Sequence, residues 1–194
     1  MSSYQLNGSD YRLQYGPTTG DYPDHFVLTG SYELPFGRGK HFLPGSGRAF
    51  DLVIGGWVLN SVYTWESGGT IGSWGNVIYL GGPLNVQPRN LAQAFDVTRF
   101  DRVSTDQPSQ NYRTFPQMFN NVRSDAANNV DLSMLKNFHV SDRMTAQFRF
   151  EAFNAFNRTQ FAAPNISVTA ATFGTITSQA NTARQVQTGL KLKF

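Results

Sequence analysis

The chain ends in Ala183-Arg-Gln-Val-Gln-Thr-Gly-Leu-Lys-Leu-Lys-Phe194. Val186, Thr188, Leu190, Leu192 and Phe194 fall on one parity; Gln185, Gln187, Gly189, Lys191 and Lys193 fall on the other. Successive side chains of an extended chain point to opposite faces, so this is a strand with one apolar and one polar face. It ends on a large aromatic ring. Free termini fray into water, and a soluble protein gains little from a phenylalanine there. A strand in a membrane wall gains more. The alternation also fits a soluble edge strand that closes an antiparallel sheet.

The same dyad recurs upstream, in four more stretches. In HFVLTGSYEL, Phe26, Leu28, Tyr32 and Leu34 share a face with Gly30, opposite His25, Thr29, Ser31 and Glu33, with Val27 the one apolar exception. In WVLNSVYTWES, Trp57, Leu59, Tyr63 and Trp65, with Ser61 among them, oppose Asn60, Thr64 and Glu66, with Val58 and Val62 intermixed. In NNVDLSMLKNF, Val130, Leu132 and Met134 oppose Asn129, Asp131 and Ser133. Lys136 then breaks the apolar parity. Either its stem lies along that face with the ammonium in water, or a bulge switches the parity at Leu135. The cleanest dyad is DRMTAQFRFEAFNAFN. Met144, Ala146, Phe148, Phe150 and Ala152 oppose Arg143, Thr145, Gln147, Arg149 and Glu151. Arg149 and Glu151 are next-but-one neighbours on the polar face and read as a structural ion pair there.

The predicted strands lie near 25–34, 57–67, 128–138, 143–154 and 184–194. Residues 1–24 read as a loop with part of a strand near Tyr11 to Tyr15. The 35–56 connection opens with the Gly- and Pro-rich turn PFGRGKHFLPGSG, and His139 to Asp142 reads as a tight turn. The stretches 68–126 and 157–183 read as long loops, the second with a short β-prone piece at Thr172 to Thr177. Trp57 and Trp65 place aromatic rings at both ends of one strand, as in the two girdles of a barrel wall.

Composition narrows the class. The chain has 194 residues, 15% charged and 14% aromatic, with 18 glycines and a net charge of +3. Low charge with many aromatics and glycines suits a turn-rich β protein, not a disordered chain. Lysine and arginine are scattered, which argues against nucleic acid as a partner. There is no cysteine, so disulfides and thiolate metal sites are excluded. No apolar run approaches the roughly 18 residues of a membrane helix. The N-terminus MSSYQLNGSDYRLQYG lacks the apolar core of a signal peptide. Gly37-Arg38-Gly39-Lys40 follows a strand, yet the glycine spacing and His41 do not meet the requirements of a phosphate loop. His25, His41 and His139 are far apart and no nucleophile motif appears, so no enzyme activity, cofactor or metal is expected.

Direction follows if Phe194 sits at a periplasmic rim. An antiparallel meander then puts 68–126 and 157–183 outside the cell, and 138–142 and 35–56 in the periplasm. Long outer loops and short inner turns are the rule for outer-membrane barrels, and only 35–56 is longer than expected. Five strands cannot close a polar-lumened barrel, and unpaired edges are not viable in lipid. The expectation is therefore an all-β, antiparallel up-and-down meander of five to six long strands, part of a larger barrel.

HFVLTGSYELPFGRGKHF, GGWVLNSVYTWESGG, NNVDLSMLKNF, FRFEAFNAFNRTQF, ATFGTIT and RQVQTGLKLKF, in that order, resemble the C-terminal barrel of TonB-dependent outer-membrane receptors of the Oar-like group. The resemblance implies a 22-stranded barrel closed by an N-terminal plug. It implies uptake of a scarce ligand with energy passed through TonB. It also implies that Val186, Leu190, Leu192 and Phe194 form the signal read by the barrel-insertion machinery. The implied partners are outer-membrane lipid, that machinery, TonB through a part lying N-terminal to this stretch, and an unnamed ligand. Under this reading Phe26, Leu28, Tyr32, Leu34, Trp57, Leu59, Tyr63, Trp65, Val130, Leu132, Met134, Phe148 and Phe150 meet lipid. Glu33, Asn60, Glu66, Asp131, Gln147, Arg149, Glu151, Gln187 and Lys191 face the lumen. Neither plug nor TonB-contacting segment is present in these residues, and Ser104 to Ala127 lacks the glycine-rich form expected before the third strand. The competing reading is a soluble or surface-attached β-sheet module, an adhesin or carbohydrate-binding domain.

Overall fold

A computed structural model describes residues 2–5, 13–107, 113, 115–141 and 143–194. The chain divides into two units. One comprises residues 26–65, 128–158 and 182–194, the other residues 1–25, 66–127 and 159–181.

The first unit is built on a sheet. Strands β3 (His25–Glu33), β4 (Trp57–Glu66), β5 (Ala127–Ser141), β6 (Met144–Phe153) and β7 (Gln185–Lys193) lie in the order β3-β4-β5-β6-β7. Sequence neighbours pair throughout, as in an up-and-down meander. On β6 the register is continuous on both sides. Lys136, Phe148 and Leu190 form one cross-strand row, and Met134, Phe150 and Thr188 the next. Each row keeps one parity, so the alternation read from sequence becomes two faces of one sheet. Among the described residues, β3 and β7 each have one unpaired edge.

Three local expectations change. The turn expected at His139 to Asp142 is tighter, because β5 continues through Ser141 and its register shifts only between His139 and Ser141; Asp142 itself lies outside the described residues. No parity switch occurs at Leu135, since pairing runs unbroken from Leu132 to His139. The 35–56 connection holds a short helix, α1 (Arg48–Ile54), which buries none of its residues.

Among its described residues the second unit has its own strand pair only at its start, where β1 (Ser2–Gln5) pairs antiparallel with β2 (Leu13–Gly16). Part of the strand expected near Tyr11 to Tyr15 is therefore β2, while Tyr11 and Arg12 lie outside the described residues. Its long segments are nevertheless compact. Ile71, Trp74, Leu84, Phe95, Phe100, Phe115, Val122, Val168, Phe173 and Ile176 form a buried cluster. Trp74 is fully buried. It stacks on Phe100 at 5.1 Å and meets Phe95, Phe119 and Phe173 edge-on. Offset-stacked and edge-on rings are favourable beyond their buried area.

Backbone hydrogen bonds join the two long segments. Ala94 N donates to Gly174 O at 2.8 Å, and Ile176 N to Leu91 O at 2.9 Å. Where no ladder exists, asparagine and aspartate side chains satisfy the backbone. Asn90 Oδ1 accepts from Ala92 N and Gln93 N, and Asn165 Oδ1 from Ser167 N. The β-prone piece expected at Thr172 to Thr177 is a turn instead. Gly174 has φ +81°, and a Cβ there would lie 2.5 Å from Val97 Cγ1. Phe173 and Ile176 turn into the cluster rather than alternate across a sheet.

Candidate functional site

The sheet carries small hollows, one of about 300 Å³ lined by Gln147, Arg149, Glu151 and Lys191 among others. Its chemistry lies in the contrast between its two faces.

The apolar parity is open along both edge strands. Phe26, Leu28 and Tyr32 on β3 are exposed, as are Val186, Leu190 and Leu192 on β7. Leu190 keeps 70% of its surface, and Phe194, one residue past β7, keeps 92%. On the central strands Trp57, Leu59, Tyr63, Trp65, Val130, Leu132, Met134 and Phe148 are half-buried, shielded by neighbouring strands, and Phe150 is exposed. Leu34, just beyond β3, is half-buried and donates its N–H to Trp57 O at 2.8 Å. Ring pairs lie near both ends of the face. Phe26 meets Tyr63 at 6.1 Å, and Trp57 meets Phe148 at 6.0 Å, both edge-on.

Lys136 departs from both sequence expectations. It stays on the apolar parity yet is only 3% exposed. Its Nζ donates to Asp51 O of α1 at 3.2 Å and lies 5.7 Å from the Trp57 ring and 5.2 Å from the Phe138 ring. A carbonyl and two aromatic faces replace the water that was expected around the ammonium.

The polar parity is a chain of hydrogen bonds. Gln147 Nε2 donates to Asn137 Oδ1 at 2.9 Å, and Arg149 Nη2 to Gln147 Oε1 at 3.4 Å. Arg149 Nη1 reaches Glu151 Oε1 at 3.5 Å, while Gln187 Nε2 donates to Glu151 Oε2 at 2.6 Å. The Arg149–Glu151 pair is thus formed, with the shorter bond to Glu151 coming from Gln187. Asn60 Nδ2 donates to Ser133 Oγ at 3.4 Å, and Glu33 pairs with Lys40 at 2.7 Å. Lys191 is exposed opposite Gln147. Glu66, at the end of β4, lies 3.8 Å from His25.

Asp131 contributes to a device that sequence periodicity did not show. Its Oδ1 accepts from Asn129 Nδ2 at 2.8 Å and from Asn154 N at 2.9 Å. Asn154 has φ +48°, and its side chain bridges Arg158 N, Arg158 O and Thr182 O. Asn157, with φ +51°, accepts Arg184 N at 2.9 Å. Asparagine tolerates this left-handed backbone better than most residues. The pair ends β6 and fixes the entry to β7. The available signal was the two asparagines in Phe153-Asn-Ala-Phe-Asn157.

In the loop unit a cleft of about 260 Å³ is lined by Tyr22, Glu66, Thr70, Gln160 and Phe161 among others. Several of its polar groups are already engaged. Thr70 Oγ1 donates to Thr18 O at 2.6 Å, and Gln160 Nε2 to Asp125 O at 3.3 Å. Beside it the buried Asp125 carboxylate pairs with Arg89 and accepts Phe161 N at 3.1 Å. Arg89 in turn lies 4.7 Å over the Phe161 ring. Elsewhere in this unit, Thr98 donates to Asp96 through its hydroxyl and its N–H, and with Arg99 nearby holds that carboxyl below its ordinary pKa of 3.8. Among the described residues no three His, Asp or Glu side chains converge as metal ligands.

Among the described residues no helix is long and apolar enough to cross a membrane. No curated protein and no solved structure matches it. A family model described as an outer membrane beta barrel domain matches residues 2–187. With its antiparallel five-stranded sheet and exposed apolar face, the chain belongs to the outer membrane beta barrel domain family, and its location is the bacterial outer membrane.

Proposed function

We infer that the sheet is part of the wall of a TonB-dependent outer-membrane transporter, not an enzyme. One observation carries the wall reading: large apolar and aromatic side chains gather on one parity, open on β3 and β7 and mostly half-buried on the central strands, while the other parity is mainly polar and hydrogen-bonded, with Val27, Val62 and Phe153 as its exposed apolar exceptions. An exposed apolar face of this extent is unfavourable in water and favourable against acyl chains. The polar parity then lines the lumen, and the edges of β3 and β7 pair with further strands of a closed barrel. The finer identification rests on the ordered resemblance to Oar-like receptors.

In this role the loop unit is the extracellular surface that meets a scarce ligand. Its packed aromatic core makes it a shaped surface instead of a floppy fringe. Phe194 and the apolar positions before it are the part read by the insertion machinery. The outer-membrane location goes against the soluble form of the competing module. A surface adhesin remains the second reading, and the compact loop unit is the observation in its favour.

The test uses the complete gene product in its own membrane. A barrel wall predicts a heat-modifiable band in the outer-membrane fraction. A transporter predicts site-specific cross-linking to TonB and ligand uptake that stops when TonB is removed. Unchanged uptake without TonB would overturn the transporter reading while leaving the wall reading intact.

A further inference from the structure

The connection between β3 and β4 is the part of the sheet unit that the wall reading leaves unexplained. It exposes Phe36, Phe42, Leu43, Phe50, Leu52 and Val53. Its cations are Arg38, Lys40 and Arg48, and its one carboxylate between residues 36 and 54 is Asp51. Lys40 is paired with Glu33. Asp51 is also engaged, because its Oδ1 accepts Arg38 N at 2.5 Å. Arg38 and Arg48 are exposed.

The segment is held firmly, and it is held on the apolar parity. Trp57 Nε1 donates to Val53 O at 2.8 Å, and Lys136 Nζ donates to Asp51 O. Both side chains belong to the apolar parity. Gly37 is buried with φ +115°, and a Cβ there would come within 2.5 Å of Asp51 Oδ1 and 2.7 Å of Gly55 Cα. Phe36 and Phe42 stack at 5.4 Å. A solvated turn needs none of this. Apolar side chains facing outward on a braced platform, flanked by free guanidinium groups, suit a membrane–water interface.

We propose that residues 36–54 form an interfacial platform seated on anionic phospholipid. Phe50, Leu52 and Val53 enter the acyl region, and Arg38 and Arg48 meet lipid phosphates. The proposal rests on the reading that the apolar parity faces lipid, with which the platform is continuous. It also accounts for a connection longer than barrel turns on that side require.

The experiment labels the complete gene product, in which residues 1–194 contain no cysteine and any cysteine elsewhere is first replaced, with an environment-sensitive fluorophore at Val53→Cys, Leu190→Cys or Thr105→Cys. The proteins are reconstituted in phosphatidylglycerol vesicles, with and without brominated acyl chains. Brominated lipid is expected to lower emission about two-fold at Val53 and Leu190 and to leave Thr105 unchanged, while aqueous iodide quenches only Thr105. Quenching at Leu190 but not at Val53 overturns the platform and keeps the wall. This includes the case in which Val53 is shielded from iodide as well, which would point to a protein occupant. Absence of lipid quenching at both sites overturns both readings. Replacing Arg38 and Arg48 by Gln is expected to abolish any preference of the Val53 signal for phosphatidylglycerol over phosphatidylcholine. A preference that survives overturns the phosphate contact.

Discussion

The loop unit and the sheet unit invert the usual division of labour. Strands ordinarily supply the core and loops cover it. Here every buried apolar side chain among the described residues lies in the loop unit, and none lies in the sheet unit. In the loops the aromatic rings turn toward one another around Trp74. In the sheet they stand in rows facing outward, and only Gly37, Gly55, Lys136 and Asn154 of that unit are buried. One set of residues has satisfied the hydrophobic effect within itself. The other set reaches the same end only if something apolar lies against it. The difference is that the loops bury their rings against one another, whereas the sheet, with its strands paired in sequence order, leaves its apolar side chains open or half-open.

If the loop unit carries its own core, then removing the centre of that core is the most damaging single change to it. Trp74→Ala is expected to cost the unit about 3–5 kcal/mol and to open the loops to limited proteolysis, with the sheet still in the outer membrane. Loops that stay resistant would mean the cluster is not what holds them. If the apolar parity faces lipid, a smaller but one-sided effect follows. Leu190→Arg is expected to destabilise the wall by about 2–4 kcal/mol, while Gln187→Arg on the opposite parity costs little. Equal effects in denaturant titrations of the membrane-embedded protein would erase the distinction between the faces.

Smaller again is the expected loss at the junction after β6. Asn154→Ala removes the side-chain bonds to Arg158 and Thr182 and should cost about 1–3 kcal/mol, read as a lower unfolding midpoint. Phe194→Asp is expected to lower barrel assembly, with synthesis unaffected, as seen in the ratio of heat-modifiable to total protein. The least effect is a pH dependence confined to the loops. Asp96 titrates below its ordinary value of 3.8 because of Thr98 and Arg99. Its contribution is therefore present above that value and fades as pH falls through the lowered one. Carboxyl chemical shifts across an acid titration check the direction, and Asp96→Asn should remove the dependence.

The strands were legible because a period of two needs only neighbours in sequence. Phe148, Arg149, Phe150 and Glu151 declare their faces without knowledge of any partner. The loop core was not legible for the opposite reason. Trp74, Phe95, Phe100 and Phe173 share no spacing, and their meeting depends on turns set by residues such as Gly174 and Asn165. Lys136 is the intermediate case. Its break in parity was visible, but its partner is a carbonyl of Asp51 far upstream. α1 was hidden in the apolar run around Leu52 to Leu59, which the helix and β4 share on either side of Gly55 and Gly56.

If the two faces of the sheet meet different environments, a cysteine scan along β6 reads the difference directly. Single cysteines from Gln147 to Ala152 would be exposed, in intact outer membranes, to a small water-soluble maleimide. Reaction at Gln147, Arg149 and Glu151, with protection at Phe148, Phe150 and Ala152, is the predicted result. Uniform reactivity, or the reverse alternation, would contradict it.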